Sequence, residues 1–427
     1  MPAVRRLSAV SALALTAALV AAPVPKGESS ADWTRFRGPN GTGVADPATP
    51  TKFTLPKDLV WKAKLPGVGH GSPIVVGGRV LVQAASDDGA SRMLVCVNAA
   101  DGKVAWEKKI LDGKAGKVHK KNNSAAGTPC SDGERVFNVV WDGTGLTMTA
   151  HDLKGNEVWK KGLGSYASEH GFGHSPVVVG GLVIFNYDQD GAAELVAHDA
   201  KTGEQKWRAE RKAHRACYTS PFVVEEKGKP AQLIVGSTIS VDSYDPASGK
   251  VNWTFTVPWG EGGKKLRSVG QPVLAGGHVV MYTGEGGSGR LMVAVKPDGQ
   301  GDVSKSGLAW DLKKGTPYVP GVLVKDDHLF WVADDGVASC ADAKTGKVKW
   351  TERVPGLKGV SSSPLLVGDT IFVVGEDGKA AAFKASTTEL GEVTKSDVGE
   401  AVFATPAAAG GKLFIRGGSH LFCVGKK

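Results

Sequence analysis

Among 427 residues there is no nucleophile elbow, no Walker loop, no H-E-x-x-H pair and no zinc-finger spacing. These absences remove three common routes to chemistry: acyl transfer on an exposed serine, nucleotide binding and zinc hydrolysis. Cysteine is scarce, at five, and an odd count leaves at least one thiol unpaired in any disulfide scheme. The cationic excess, formally +9, is dispersed rather than gathered in one run, which argues against a nucleic-acid partner. Long apolar runs are missing as well, with one exception.

That exception is N-terminal: MPAVRRLSAVSALALTAALVAAPVP. Arg5 and Arg6 form a basic start, Leu7 to Val20 an apolar stretch, and Val20-Ala21-Ala22 a small-residue cleavage site. The pattern predicts a secretory signal over residues 1–22, too short and wrongly flanked for a stable membrane span. A linker at 23–31 follows. No cysteine lies near the cleavage region, so a lipoprotein anchor is not expected. The mature chain is expected to be exported, soluble and without a transmembrane segment, in the periplasm or outside the cell.

What the sequence has in excess is glycine, 58 residues, about twice ordinary usage. Without low complexity, this suggests many tight turns and hence many short strands. Two signals recur. A polar turn leads to tryptophan in NAADGKVAW (98–106), DAKTGEQKW (199–207), DPASGKVNW (245–253), DAKTGKVKW (342–350) and the shorter DLKGNEVW (152–159). A small residue and proline open an apolar strand in SPIVVGGRVLV (72–82), SPVVVGGLVIF (175–185), SPLLVGDTIFV (363–373) and TPAAAGGKLFI (405–415).

The tryptophans at 61, 106, 159, 207, 253, 310 and 350 recur every 40 to 57 residues. Such a period, with several strands per unit, is the signature of a β-propeller. Each unit reads as four strands. A follows Ser-Pro, a Gly-Gly hairpin leads to B, an Asp-Gly turn to C, and the Asp-x-x-Thr-Gly turn to D, which ends on tryptophan. Trp61 ends a D strand with nothing before it, while the stretch after Pro406 has A, B and C but no D. Joining the two ends closes an eighth blade and removes the open edge. The expected fold is all-β: an eight-bladed β-propeller of four-stranded antiparallel blades over residues 58–427. The seventh unit is worn, with Lys384 at the Asp position and Glu392 read as the residue in place of tryptophan.

The unit Ala-x-Asp-x-x-Thr-Gly-x-x-x-Trp resembles the tryptophan-docking repeat of the quinoprotein-dehydrogenase-like propellers, or PQQ-like repeats. The resemblance covers nearly the whole mature chain. In size the chain is similar to the propeller subunit of the outer-membrane β-barrel assembly machinery, and to exported propellers that begin with a W-x-x-F-R-G-P-N-G segment. The motif is specific for the fold, whereas many members of the superfamily bind no quinone. The cofactor implied by the dehydrogenase branch is pyrroloquinoline quinone with calcium. GEGGSGRL (284–291) resembles the stretch that supplies a calcium-ligating glutamate there, making Glu285 the counterpart. Against that branch stand the lack of a Cys-Cys dipeptide, the lack of further calcium ligands or a catalytic aspartate, and a chain too compact for long insertions. No cofactor is therefore expected.

The D–A connections carry the unusual residues. They hold His70, His119, His170, His174 and His214, with Lys120, Lys121, Arg215, Lys264, Lys265, Arg267 and Tyr318. A cationic ring around a concave mouth would attract an anionic ligand or an acidic protein segment; a solvated polar face is the bland reading. His170, His174 and His214 could hold a zinc ion, though ordinary surface histidines are the better reading of them. The acidic B–C turns could hold a cation, though Asp-Gly hairpin chemistry explains most of them. Cys96, Cys340 and Cys423 take a slot that wants a small buried residue, while Cys130 and Cys217 read as loop thiols.

The segment DWTRFRGPNGTG (32–43) invites a phosphate-loop reading but has no strand before it or helix after it. It is expected to be the clasp, residues 32–57, anchored by Trp33 and Phe36. Arg35 and Arg37 remain available to a ligand or to acidic turns. The favoured function is a monomeric, exported, non-catalytic scaffold that binds an envelope protein or anionic ligand through its D–A face. The alternatives are a PQQ-dependent alcohol or sugar dehydrogenase and a carbohydrate- or cell-wall-binding module.

Overall fold

A computed structural model of the chain describes residues 32–114, 116–226, 228–259, 267–285 and 288–426. The expected signal and linker, with Lys264 and Lys265, lie outside the described residues. Eight sheets form, six of four strands and two of five. In chain order, blades 1 to 7 span residues 74–112, 130–165, 177–210, 222–256, 273–312, 323–353 and 365–397. Blade 8 joins Leu59–Lys64 antiparallel to His420–Val424, so Trp61 faces Cys423. Both fifth strands are additions: Val44–Ala45 runs parallel to the inner strand of blade 7, and Gly301–Asp302 parallel to the outer strand of blade 4.

Burial grades from hub to rim. The inner strands Ile74–Val76 and Leu365–Val367 are buried at every residue, whereas the outer strand Val348–Arg353 buries only Trp350. A fully apolar triplet suits a strand covered on both sides, and an outer strand with one inward residue suits the rim. Adjacent blades stack face to face; Phe137, Val139 and Trp159 of blade 2 meet Val183, Phe185 and Val196 of blade 3. The Gly77-Gly78 hairpin takes φ of 53° and 72°, the left-handed pair that a two-residue turn requires.

Seven tryptophans rivet blade to blade. Each indole N–H donates to a carbonyl in the next blade's C–D turn: Trp61 to Ala99, Trp106 to Leu153, Trp159 to Ala200 and Trp207 to Pro246. Trp253, Trp310 and Trp350 reach Pro297, Ala343 and Ser386 likewise. The turn glycine is needed because a Cβ on Gly203 would lie 2.6 Å from the Trp159 ring. Cys96, Cys340 and Cys423 sit opposite Trp106, Trp350 and Trp61 in register, which is why that slot holds a small residue. All five cysteines are free and buried: Cys130 begins an inner strand rather than a loop, and Cys217 is a loop residue, as expected, but an interior one.

The worn blade is read differently in three dimensions. Ala382 pairs with Thr394, the relationship that Cys340 has with Trp350, so Thr394 and not Glu392 stands in the tryptophan's place. Its role passes to Phe53. The Phe53 ring lies 6.3 Å from Phe372, as Trp159 lies 5.8 Å from Phe137 and Trp61 5.9 Å from Phe414. Phe53 is 2% exposed and its N–H donates to Ser396.

The residue before the proline has a task in five blades, at Ser72, Thr128, Ser175, Ser363 and Thr405. Backbone N–H groups donate to hydroxyls one blade on: Gly321 to Ser363, Ser363 to Thr405, Thr405 to Ser72, Ser72 to Thr128, and Thr128 to Ser175, all at 2.9–3.1 Å. This buried arc runs through six blades, from 6 through 8 to 3.

Candidate functional site

The clasp occupies the hub. Trp33 bridges Val75 of blade 1, and Thr34 O accepts the Ser131 N–H of blade 2. Arg35 Nη2 donates to Pro221 O at 2.5 Å, Asn40 exchanges bonds with Val223, and Gln271 donates to the Asn40 and Gly41 carbonyls. Arg37 Nη2 donates to Val322 O at 2.6 Å, and Gly43 O accepts Leu366 N–H. A segment that touches the innermost strands of six blades in a dozen residues must cross the propeller axis. Trp33 is the buried anchor, and Phe36 is only half buried. The Arg35 and Arg37 guanidiniums bond backbone carbonyls, and burial lowers the Arg37 pKa. Where the hydroxyl arc is open, between blades 3 and 6, these side chains link the inner strands instead.

The opposite face carries the D–A loops, and neighbouring loops are locked together by charge. Arg215 Nη2 lies 3.2 Å from Glu169 and its Nη1 3.5 Å from Glu285; buried Arg267 lies 3.6 Å from Glu169. Lys121 reaches Glu376 of blade 7 at 2.7 Å, and Ser361 donates to the same carboxylate. Tyr318 is half buried; its N–H and that of Val319 donate to Asp334, and Arg290 lies over its ring at 5.6 Å. Asp190 accepts the N–H groups of Glu169 and Ala216. The acidic B–C turns thus anchor the D–A loops. The mouth is a lattice of paired charges, with Lys117, His119, Lys120, Lys212, His214, Lys314 and Lys358 among the groups left exposed.

The histidines separate into three settings. His119 stacks on His170 at 5.1 Å. His70 stacks on Phe403 at 4.4 Å and shares a bond with Lys121 O; burial lowers its pKa to about 4. His174 is 1% exposed, bonded through Nε2 to Tyr166 Oη, and burial followed by the Arg211 charge takes it down to about 3. His174 is therefore neither a surface histidine nor a partner for exposed His214. Among the described residues no three His, Cys, Asp or Glu gather to hold a metal ion.

The same geometry bears on pyrroloquinoline quinone with calcium. The Glu285 carboxylate faces Arg215, 3.5 Å away, rather than an open ligand position. These residues do not fit that group.

One constellation escaped sequence reasoning. Arg211 Nη1 lies 3.2–3.3 Å from both Asp188 oxygens, its Nη2 3.4 Å from Asp242, and it also bonds Asn186. Both side chains of the Arg211–Asp188 pair are fully buried. Burial pushes Asp188 up to about 7. Burial also works against the Arg211 charge, yet Asp188, Tyr244 and Asp242 raise its pKa, and the ionised pair is the stable form. The partners come from different blades, so no local spacing signals them.

Fold and site together define an eight-bladed propeller of PQQ-like, tryptophan-docking repeats with a self-filled hub and an ion-paired loop face. More narrowly, the chain belongs to the family described as outer membrane protein assembly factor BamB, whose profile matches residues 55–115, 94–305 and 289–419. It is similar to the outer membrane protein assembly factor BamB of Burkholderia pseudomallei (strain K96243), 25% identical over 382 residues, covering 87% of this chain and 88% of that one. Among solved structures, BamB from Moraxella catarrhalis matches with a TM-score of 0.61 and 14% identity, over 86% of this chain and 97% of that one. Quinohemoprotein alcohol dehydrogenase from Comamonas testosteroni matches equally, TM-score 0.61 and 14% identity, over 93% of this chain and 81% of that one. At such identities the structural likeness establishes the fold alone.

Proposed function

We propose that this chain is an exported, non-catalytic propeller that holds a partner protein, or an anionic ligand, on its D–A loop face in the cell envelope. The supporting observation is the loop lattice: Lys121–Glu376, Arg215–Glu169 and Arg215–Glu285 tie loops of separate blades into one ordered surface. A preordered surface binds without the entropic cost of arranging its loops. The family's name, an assembly factor, fits a scaffold. Among the described residues no helix is long and apolar enough to cross a membrane, and residues 1–22 serve as the export signal.

The test is site-specific photo-crosslinking in cells. Probes at His214 and Lys314 on the loop face are expected to capture a discrete partner that probes at Val104 and Val348 on the outer rim do not. Capture from the rim alone, or from neither set, would overturn the reading.

A further inference from the structure

We propose that the D–A connection at residues 113–127 is the docking element for a short, extended, acidic segment of a partner protein. The proposal rests on the scaffold reading above and adds to it the element and the chemistry of recognition.

The segment reads GKAGKVHKKNNSAAG: four lysines, one histidine and no acidic residue. It leaves the outer strand of blade 1 and returns to the inner strand of blade 2, yet it is fastened well beyond them. Lys121 pairs with Glu376 of blade 7, and the Lys121 carbonyl meets His70 Nδ1. On the other side, Asn122 Nδ2 donates to the His170 and Phe172 carbonyls at 2.8 and 3.1 Å, and the His119 ring stacks on His170. The connection is thus a strap stretched over the mouth and held at several points. Its geometry is in place before any partner arrives.

The strap's cations are largely unspent. Lys114, Lys117 and Lys120 are exposed, and among the described residues none has a carboxylate within ion-pair distance. By contrast, Arg215 and Arg267 elsewhere on the face already lie against Glu169. The strap thus gathers three unmatched lysines within seven residues, whereas Lys212, Lys314 and Lys358 stand one to a connection.

Its surroundings limit the size of the occupant. Asp87, Asp88, Glu169, Asp335 and Asp377 are exposed on the same face. A nucleic-acid duplex or an anionic bilayer spreads its charge over the whole face and meets these carboxylates. A segment of four or five residues need not. Lys117 and Lys121 are four residues apart, at most about 14 Å of extended chain. Binding through exposed lysines is also screened by salt.

The test is fluorescence anisotropy of a labelled hexaglutamate peptide titrated with the full-length mature chain. Binding is expected, weakening with added salt. Lys117→Glu with Lys120→Glu is expected to weaken it at least tenfold. Lys117→Arg with Lys120→Arg should retain it, as should Lys347→Glu with Lys349→Glu on the outer rim. Far-ultraviolet circular dichroism verifies that each variant is folded. Unchanged binding by the strap reversal overturns the proposal and leaves the scaffold reading to the crosslinks at His214 and Lys314. Absence of peptide binding, or strap-dependent binding of phosphatidylglycerol vesicles or heparin instead, also overturns it.

Discussion

Thr405 donates its backbone N–H to the Ser72 hydroxyl at 3.0 Å, joining residues 333 positions apart at the boundary between blades 8 and 1. The bond is buried and belongs to the arc that links inner strands near the axis. Removing the Ser72 hydroxyl leaves a buried N–H without its acceptor. Ser72→Ala is expected to cost about 1–3 kcal/mol, and Ser175→Ala, which orphans the Thr128 N–H, a similar amount. Urea unfolding of the two variants measures both.

Phe53 does at the 7–8 junction what tryptophan does at the other seven. Truncating it removes a buried ring from the place where the two chain ends meet. Phe53→Ala is expected to destabilise by about 3–5 kcal/mol, and Phe53→Trp to be far milder. Equal midpoints for wild type and Phe53→Ala in guanidinium would show that the strand pairing of blade 8 closes the ring unaided.

Arg211 is matched by Asp188 and Asp242 in the interior. Arg211→Met strands two carboxylates and is expected to cost about 3–5 kcal/mol. Adding Asp188→Asn and Asp242→Asn should restore part of that loss. A triple variant no more stable than the single one would mean that the charges are not energetically coupled.

His174 makes stability fall on acidification. Its folded pKa, about 3, lies below the ordinary 6.5, so the unfolded chain binds the proton more readily. Its contribution is fully present above pH 6.5 and is lost as pH falls toward 3, with a slope of up to about 1.4 kcal/mol per pH unit. His174→Phe should flatten the dependence of unfolding free energy on pH between about 6.5 and 4. An unaltered slope would assign the acid sensitivity to other groups.

Titration with pyrroloquinoline quinone and calcium is expected to show no binding at micromolar quinone and no dye-linked alcohol or sugar oxidation. Saturable binding by calorimetry would require Glu285 to leave Arg215.

The sequence by itself determined the blades. Ser-Pro, Gly-Gly, Asp-Gly and Asp-x-x-Thr-Gly act through local backbone geometry, and the tryptophan period counts the units, so fold and closure were both legible. Only the tertiary structure decided where the segment at 32–43 lies. Its role as a fastener was apparent, but its passage across the axis depends on partners such as Pro221 and Val322, some 186 and 285 residues away. The same holds for Phe53 in place of Thr394's missing indole, for buried His174, and for Arg211 with its two carboxylates. Spacing along a chain encodes turns and strand faces, whereas the pairing of charges and rings between blades depends on how the closed ring brings their loops together.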